Sequence, residues 1–344
     1  MRVARLHGPG DVRVSEEPVP EPGPGEALVR VTAVGICGSD LHWFEESAIG
    51  DAALVLPLVL GHEAAGVIES GPRAGQRVAI DPSIACGRCE TCARGLGHLC
   101  PSVRFLGHSV TDGAMRQWLA WPESHLVPLP DAIDDVAGAM LEPLGVAIHA
   151  LGLARLRPGD ALGVIGAGPI GLLLIRLALA SGASVVVATD RLPHRVEAAR
   201  SDGALAALVD GGREVDELRA ALGGRPLDAA VEIAGDEDAI RTAAELVKPG
   251  SRVVVAGIPA GETATIPVAT IRRKGLDLRF SRRMNRVYPA AIAVAPRVRP
   301  EEVVTAAYGI ADAADAMRAA SRRIGLKTII RPSSDQPSPV SGGR

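Results

Sequence analysis

Large flat side chains are nearly missing from this chain: three Phe, two Tyr and three Trp in 344 residues, 2% in all. Cores built with so few aromatics must be aliphatic, which suits helices layered on β-sheets. There is no long apolar run either. The most apolar stretch, "PIGLLLIRLALASGA", carries Arg176 and is too short and interrupted to span a bilayer, so no membrane partner is expected. The N-terminus "MRVARLHGPGDVRV" lacks the apolar segment of a signal peptide. Neither sign of charge dominates, with 37 Lys and Arg against 40 Asp and Glu and a net charge of −3. No basic block or aromatic-interleaved basic stretch occurs, which argues against a nucleic-acid partner. Cysteine is scarce at five residues, too few for a disulfide scaffold in a chain this long. A cytoplasmic location is the expectation.

What is present divides the chain in two, as its length suggests. Residues 1–140 are rich in Gly and Pro, with short alternating runs such as "EALVRVTAVG", "GHEAAGVIES" and "GQRVAIDP" that read as strands. From Pro158 onward strands alternate with helices. "ALGVIG" reads as a strand and "PIGLLLIRLALASG" as a helix, with Pro169 in its first turn and Gly182 past its end. "SVVVATD", "ALAALVD", "PLDAAVEIAG", "GSRVVVAGIP" and "LDLRFS" continue the strands of a doubly wound parallel sheet. After Tyr288 come helical patterns and the strand "LKTIIRP". The tail "SSDQPSPVSGGR" is polar and reads as disordered.

Four of the five cysteines, Cys86, Cys89, Cys92 and Cys100, fall in "CGRCETCARGLGHLC". Disulfides do not suit a reducing compartment. An iron–sulfur cluster of the bacterial ferredoxin type has a last gap of about three residues, against the seven here. Four thiolates closing a tetrahedron around zinc fit the spacing better, and a closed four-sulfur site is structural because no coordination position remains for substrate. His98 reads as a bystander on this lobe.

"GAGPIG" places Gly166, Gly168 and Gly171 in the spacing of a dinucleotide-binding turn, after a strand and at the start of a helix that includes Pro169 and Ile170. Taken alone the spacing also describes a tight turn. The context of strand, helix and a following acid favours a pyrophosphate seated on the helix N-terminus. Asp190 ends the second strand, where a carboxylate accepts from ribose hydroxyls and repels a 2′-phosphate. Arg191 and Arg195 stand close by and offset that repulsion in part, so NAD is favoured and NADP stays open.

Cys37 in "GICGSDLH" and His62 and Glu63 in "GHEAAG" are zinc-ligand types, and three protein ligands with one open position make a catalytic site. Singly, each has a plain structural reading as a small hydrophobe, a core histidine or a solvated charge. Glu142, just ahead of Pro143 at the expected start of a helix, is a fourth candidate.

Together these stretches resemble the zinc-containing medium-chain dehydrogenases, and within them the polyol and sugar-acid branch that holds the L-idonate 5-dehydrogenase and sorbitol dehydrogenase groups. "GICGSDLH", "LGHEAAGVI", "DPSIACGRCETC", "RFLG", "LEPLGVAIHA" and "GAGPIG" occur in the family's order between Val3 and Pro332. The resemblance implies a GroES-like catalytic domain over residues 1–144 and 282–332 with its zinc lobe at 86–100, and a Rossmann domain over 145–281. It implies two zinc ions per subunit and a homodimer or homotetramer. Cys37, His62, Glu63 and Glu142 match the ligand positions of the catalytic zinc, with Glu63 and Glu142 competing for the third place. Ser39 and His42 match the proton relay, Asp40 a carboxylate that orients His62, and Trp43 and Phe44 substrate-lining positions. The implied reaction polarises a substrate hydroxyl on zinc and passes hydride to NAD or NADP, with the proton leaving through Ser39 and His42.

In the segment before "YP", polyol members tend to carry "SFRY" where this chain has "SRRM". Arg283 keeps the family arginine and Arg282 adds another. Read as neighbours on a strand, only one of the two would face the cleft; with Arg283 there, a sugar acid such as L-idonate is favoured over a neutral polyol. Sorbitol or L-iditol 2-dehydrogenase and threonine or glucose dehydrogenase activities share much of this pattern. Two rivals of other classes are a catalytically silent nucleotide-binding relative and a regulatory protein built on the cysteine lobe.

Overall fold

The computed structural model describes residues 1–49, 52–259 and 261–333; residues 334–344, most of the tail expected to be disordered, lie outside them. Internal packing divides the chain into two compact units, Met1–Glu142 with Ala291–Arg344, and Pro143–Ala290.

The first unit is organised by the strand Glu26–Gly35. Its alternation buries Ala27, Val29, Val31 and Ala33 and leaves Leu28, Arg30 and Thr32 half-buried, as a period of two requires. It pairs antiparallel with Glu63–Ile68, Trp118–Pro122 and Lys327–Arg331, at the middle of a seven-stranded sheet. Lys327–Arg331 pairs parallel with a further strand, Val304–Gly309, which the sequence reading did not foresee. Only the two ends of that strand are buried, so it shows no alternation to read.

An N-terminal hairpin, Arg2–Gly8 with Asp11–Glu16, is fastened to the unit through Arg5. The Arg5 guanidinium donates to Glu17 at 2.6 and 2.9 Å and to both oxygens of Asp112 at 2.8 Å. Asp112 also accepts from the Val59 N–H at 3.0 Å and lies 2.7 Å from Arg116. Burial pushes the Asp112 carboxyl up, but the Arg5 and Val59 hydrogen bonds and the Arg116 charge outweigh it and hold it below the ordinary value. A carboxyl depressed in the folded state stabilises it above the unfolded value of about 4, and that contribution is lost as pH falls. Asp112→Asn is therefore expected to cost about 1.5–3 kcal/mol at neutral pH. In denaturant titrations the gap from wild type should close as the pH drops below about 4; a gap independent of pH would show that the charge contributes nothing.

The second unit is a six-stranded parallel sheet. Its order is Leu205–Leu208, Val185–Asp190, Ala161–Ile165, Leu227–Glu232, Val247–Val255, Asp277–Phe280. Numbered along the chain this is 3-2-1-4-5-6, the Rossmann order, with its switch point between Ala161–Ile165 and Leu227–Glu232. The packed cluster beneath it, which includes Ile165, Val187, Leu218, Leu227, Leu246 and Val253, contains no aromatic residue, in keeping with the composition.

The chain passes between the units at Glu142–Pro143 and Ala290–Ala291, inside the helices Leu141–Ala154 and Tyr288–Val298. The first of these begins two residues before Pro143, so Glu142 lies within its first turn instead of ahead of it. Proline is accepted there because the first N–H groups of a helix have no intrahelical acceptor. Residues 282–290, expected with the catalytic domain, group with the second unit, where Met284 is buried against Gly145.

Candidate active site

Cys37, His62 and Glu63 meet at one end of the first unit's sheet. Cys37 follows the end of Glu26–Gly35, and Glu63 opens the antiparallel neighbour opposite Gly35, with His62 just ahead of it. One ligand atom from each lies within 4.8 Å of the other two. His62 and Glu63 are buried and Cys37 is half-buried, so the group opens on the cysteine side. Oε1 of Glu63 is buried and accepts no hydrogen bond, leaving a lone pair for a cation. A side chain on Gly35 would overlap the Glu63 carboxylate, so only glycine fits beside it. A thiolate, an imidazole and a carboxylate so disposed fit zinc.

Asp40 organises the group. Its buried carboxylate accepts from the Cys37 N–H at 2.9 Å and the Gly61 N–H at 3.3 Å, and lies 3.6 Å from Nδ1 of His62. Burial pushes the His62 imidazolium down, yet the negative Asp40 and Cys37 prevail and carry it well above the ordinary histidine value. Asp40 and Cys37 thus favour positive charge at this end of the group.

Cys37 caps the helix Gly38–Glu46. Ser39 and His42 are both half-buried on it, three residues apart and so on one face. Trp43 and Phe44, expected to line the substrate, are 1% and 5% exposed and give their rings to the core; Trp43 stands edge-on to His108 at 5.2 Å. They anchor the helix from beneath. Glu142 is 5% exposed, and burial raises its carboxyl to about 7, with the His62 charge opposing and the Glu63 charge adding to the rise. It stands in the electrostatic field of the donor group without joining the three atoms that meet.

The residue that sequence reasoning missed is Lys327. Its ammonium, 4% exposed, is ion-paired with Glu63 and donates to the Ile36 carbonyl at 2.8 Å. Burial pushes it down, but Glu63, Cys37 and Asp40 outweigh that and hold it above the usual lysine value, so it is charged at neutral pH. The signal in the sequence was a lysine at the head of the short strand "KTIIR".

The sulfurs of Cys86, Cys89, Cys92 and Cys100 form a second group within 4.8 Å of one another. Cys86 and Cys92 are 3.9 Å apart and Cys89 and Cys100 3.8 Å. A zinc tetrahedron with bonds near 2.3 Å has edges of about 3.8 Å, so the group fits zinc and is too open for disulfides. The Cys86 thiol is held down at about 6 by the N–H groups of Arg88 and Cys89, whereas burial pushes Cys92 up to about 12. His98 is buried on the lobe but belongs to neither donor group.

In the second unit the glycine turn is a cradle that side chains would fill. A Cβ on Gly166, where φ is +112°, would meet Ala234 N at 2.9 Å, and one on Gly171 would overlap the Gly166 carbonyl. Gly168 caps the helix Pro169–Ala180, with Ile170 in its first turn, and a Cβ on Gly168 would touch only Arg195. The first N–H groups of that helix, which have no intrahelical acceptor, and the close backbone approach fit a dinucleotide pyrophosphate. Asp190 accepts from the Ala167 and Leu192 N–H groups, both at 2.9 Å, and Arg195 lies 3.8 Å from it. Arg191 is ion-paired with Asp236.

Arg282 and Arg283 are not on a strand. They follow Asp277–Phe280 in a bend where Arg283 takes φ +58°, so alternation does not choose between them. Exposure does: Arg282 is exposed and Arg283 half-buried.

Two family profiles match the chain, "Alcohol dehydrogenase GroES-like domain" over residues 23–131 and "Zinc-binding dehydrogenase" over residues 169–296. The chain is 33% identical to the sorbitol dehydrogenase of Bacillus subtilis (strain 168) over 329 residues, 93% of each chain. It superposes on L-idonate 5-dehydrogenase from Escherichia coli K-12 MG1655 with a TM-score of 0.87 at 29% identity, covering 96% of this chain and 98% of that one. An alcohol dehydrogenase from Escherichia coli CFT073, solved with NADH, gives 0.88 at 27% identity, covering 96% and 99%. Among the described residues no helix is long and apolar enough to cross a membrane.

Proposed function

Because the chain belongs to the zinc-dependent medium-chain dehydrogenases, and to their polyol and sugar-acid oxidoreductases, we propose that it oxidises a secondary alcohol of a sugar acid such as L-idonate, using NAD and two zinc ions per subunit. The observation that carries the reading is the meeting of Cys37, His62 and Glu63 with one side open. These three would hold the catalytic zinc, with Glu142 beside them, and the four-cysteine lobe would hold the structural one. When bound, zinc would supply a Lewis acid for the substrate hydroxyl, and a nicotinamide would be the hydride acceptor.

This chain's own residues supply position and proton transfer. Asp40 fixes the Cys37 backbone and faces the His62 ring, keeping both donors aimed at one point. Ser39 and His42, on one face of their helix, take the hydroxyl proton and pass it toward solvent, imidazole being the common carrier in such steps. Asp190, at the end of its strand, accepts from the adenosine ribose hydroxyls.

Arg283 is the substrate-selecting residue in this reading, since a guanidinium grips a carboxylate in bidentate fashion and gains nothing similar from a polyol. With NADH formation as the assay, kcat/KM should be higher for L-idonate than for sorbitol. Arg283→Ala should lower the value for the acid by roughly tenfold or more, the worth of one charged hydrogen bond, and affect sorbitol less. Equal losses on both substrates would favour the second reading, a sorbitol or L-iditol dehydrogenase, which the Bacillus subtilis relative supports.

A further inference from the structure

The switch point of the second unit holds a charge pair that the reaction does not use. Arg191 follows Asp190 at the end of Val185–Asp190, and Asp236 follows the end of Leu227–Glu232. Those two strands flank Ala161–Ile165 on opposite sides, so the ion pair between Arg191 and Asp236 reaches across the glycine turn. Ala234, two residues before Asp236, is the atom group against which Gly166 packs. The pair therefore borders the crevice where a dinucleotide rests.

Charge decides what this pair does. A guanidinium beside a ribose is the usual receptor for a 2′-phosphate, and Arg191 is placed for it. In this chain, however, each nearby arginine already faces a carboxylate: Arg195 lies 3.8 Å from Asp190, and Arg191 is held by Asp236. Two cations and two anions cancel, leaving no surplus positive charge for a phosphate.

We propose that Asp236 is a specificity-determining residue, which disfavours NADP by engaging Arg191, alongside the repulsion that Asp190 exerts directly. The proposal rests on the dehydrogenase reading above. Asp236 also caps the helix Glu237–Leu246, its Oδ1 accepting from the Asp238 N–H at 2.8 Å. Asparagine caps equally well, so Asp236→Asn removes the charge and keeps the helix start.

The test is titration calorimetry of the full chain with NAD and NADP at low ionic strength, for wild type, Asp236→Asn, Arg191→Ala and the double variant. Asp236→Asn should tighten NADP relative to NAD by about tenfold, the range of one partly screened guanidinium–phosphate contact. The gain should vanish in the double variant, because the freed guanidinium is then absent. A gain that survives without Arg191, an equal change for both dinucleotides, or a wild type that already prefers NADP would each overturn the role of Asp236. A wild type that binds neither dinucleotide would overturn the dehydrogenase reading itself, and this proposal with it.

Discussion

On the proposed two-site zinc reading, Cys37→Ser is expected to lower turnover by roughly a thousandfold or more, while thermal unfolding and zinc binding at the four-cysteine lobe remain as in wild type. The size follows from the several kcal/mol that a Lewis acid contributes to a transition state, at about 1.4 kcal/mol per factor of ten. Stability is spared because Cys37 is half-buried at the open side of its group and its backbone stays held by Asp40. Cys89→Ser should do the reverse. It removes one of the four sulfurs of the closed group, and a closed metal site contributes folding energy directly. Losing even about 4 kcal/mol of that energy should lower the melting temperature by roughly 10 °C in a domain of this size. Metal analysis beside calorimetry separates the two variants. A Cys89→Ser protein that melts normally and loses only catalysis would mean that the two sites have been assigned the wrong way round.

The parts of this molecule that were legible in its sequence are those written in spacing or period. The parallel sheet was legible because most of its strands are short apolar runs and helices such as Pro169–Ala180 open on Pro and close near Gly, as Pro169 and Gly182 do, whereas the helices Arg213–Ala221 and Val268–Lys274 went unread. The cysteine lobe announced itself because four sulfurs within fifteen residues need no distant partner. Features that depend on what faces what across the sheet were silent. Lys327 reads as one more polar residue until Lys327–Arg331 is seen beside Glu26–Gly35, next to the strand that carries Glu63. Asp236 reads as a helix cap until Arg191 reaches it. Trp43 and Phe44 sit in a motif that suggests contact with substrate, but a helix anchored by Cys37 must turn its next apolar residues into the core. For Arg282 and Arg283 only the strand premise failed: they lie in a bend where φ +58° at Arg283 breaks the period.

Lys327→Met should have the largest effect on stability of any change outside the lobe. The lysine is the buried cation closest to the Glu63 carboxylate, and both side chains are almost without solvent, at 3% and 1% exposure. Removing one member of such a pair leaves the other charge buried without compensation, which costs about 3–5 kcal/mol. The loss should be greatest in zinc-free protein, because a bound cation takes over part of the compensation. Zinc should therefore raise the melting temperature of the variant more than that of wild type. The pH dependence gives an independent check. Lys327 is held above its ordinary 10.5 in the folded state, so its contribution is complete below that value and is lost only as pH rises through the folded pKa. The gap between wild type and variant should stay constant from about pH 6 to 9 and narrow above about 10.5. Lys327→Arg, which keeps the charge at the expense of packing, should recover part of the stability and most of the zinc affinity. A Lys327→Met protein as stable as wild type without metal would mean that Glu63 is not held charged by this pair, and the donor group would then carry one negative charge fewer than described.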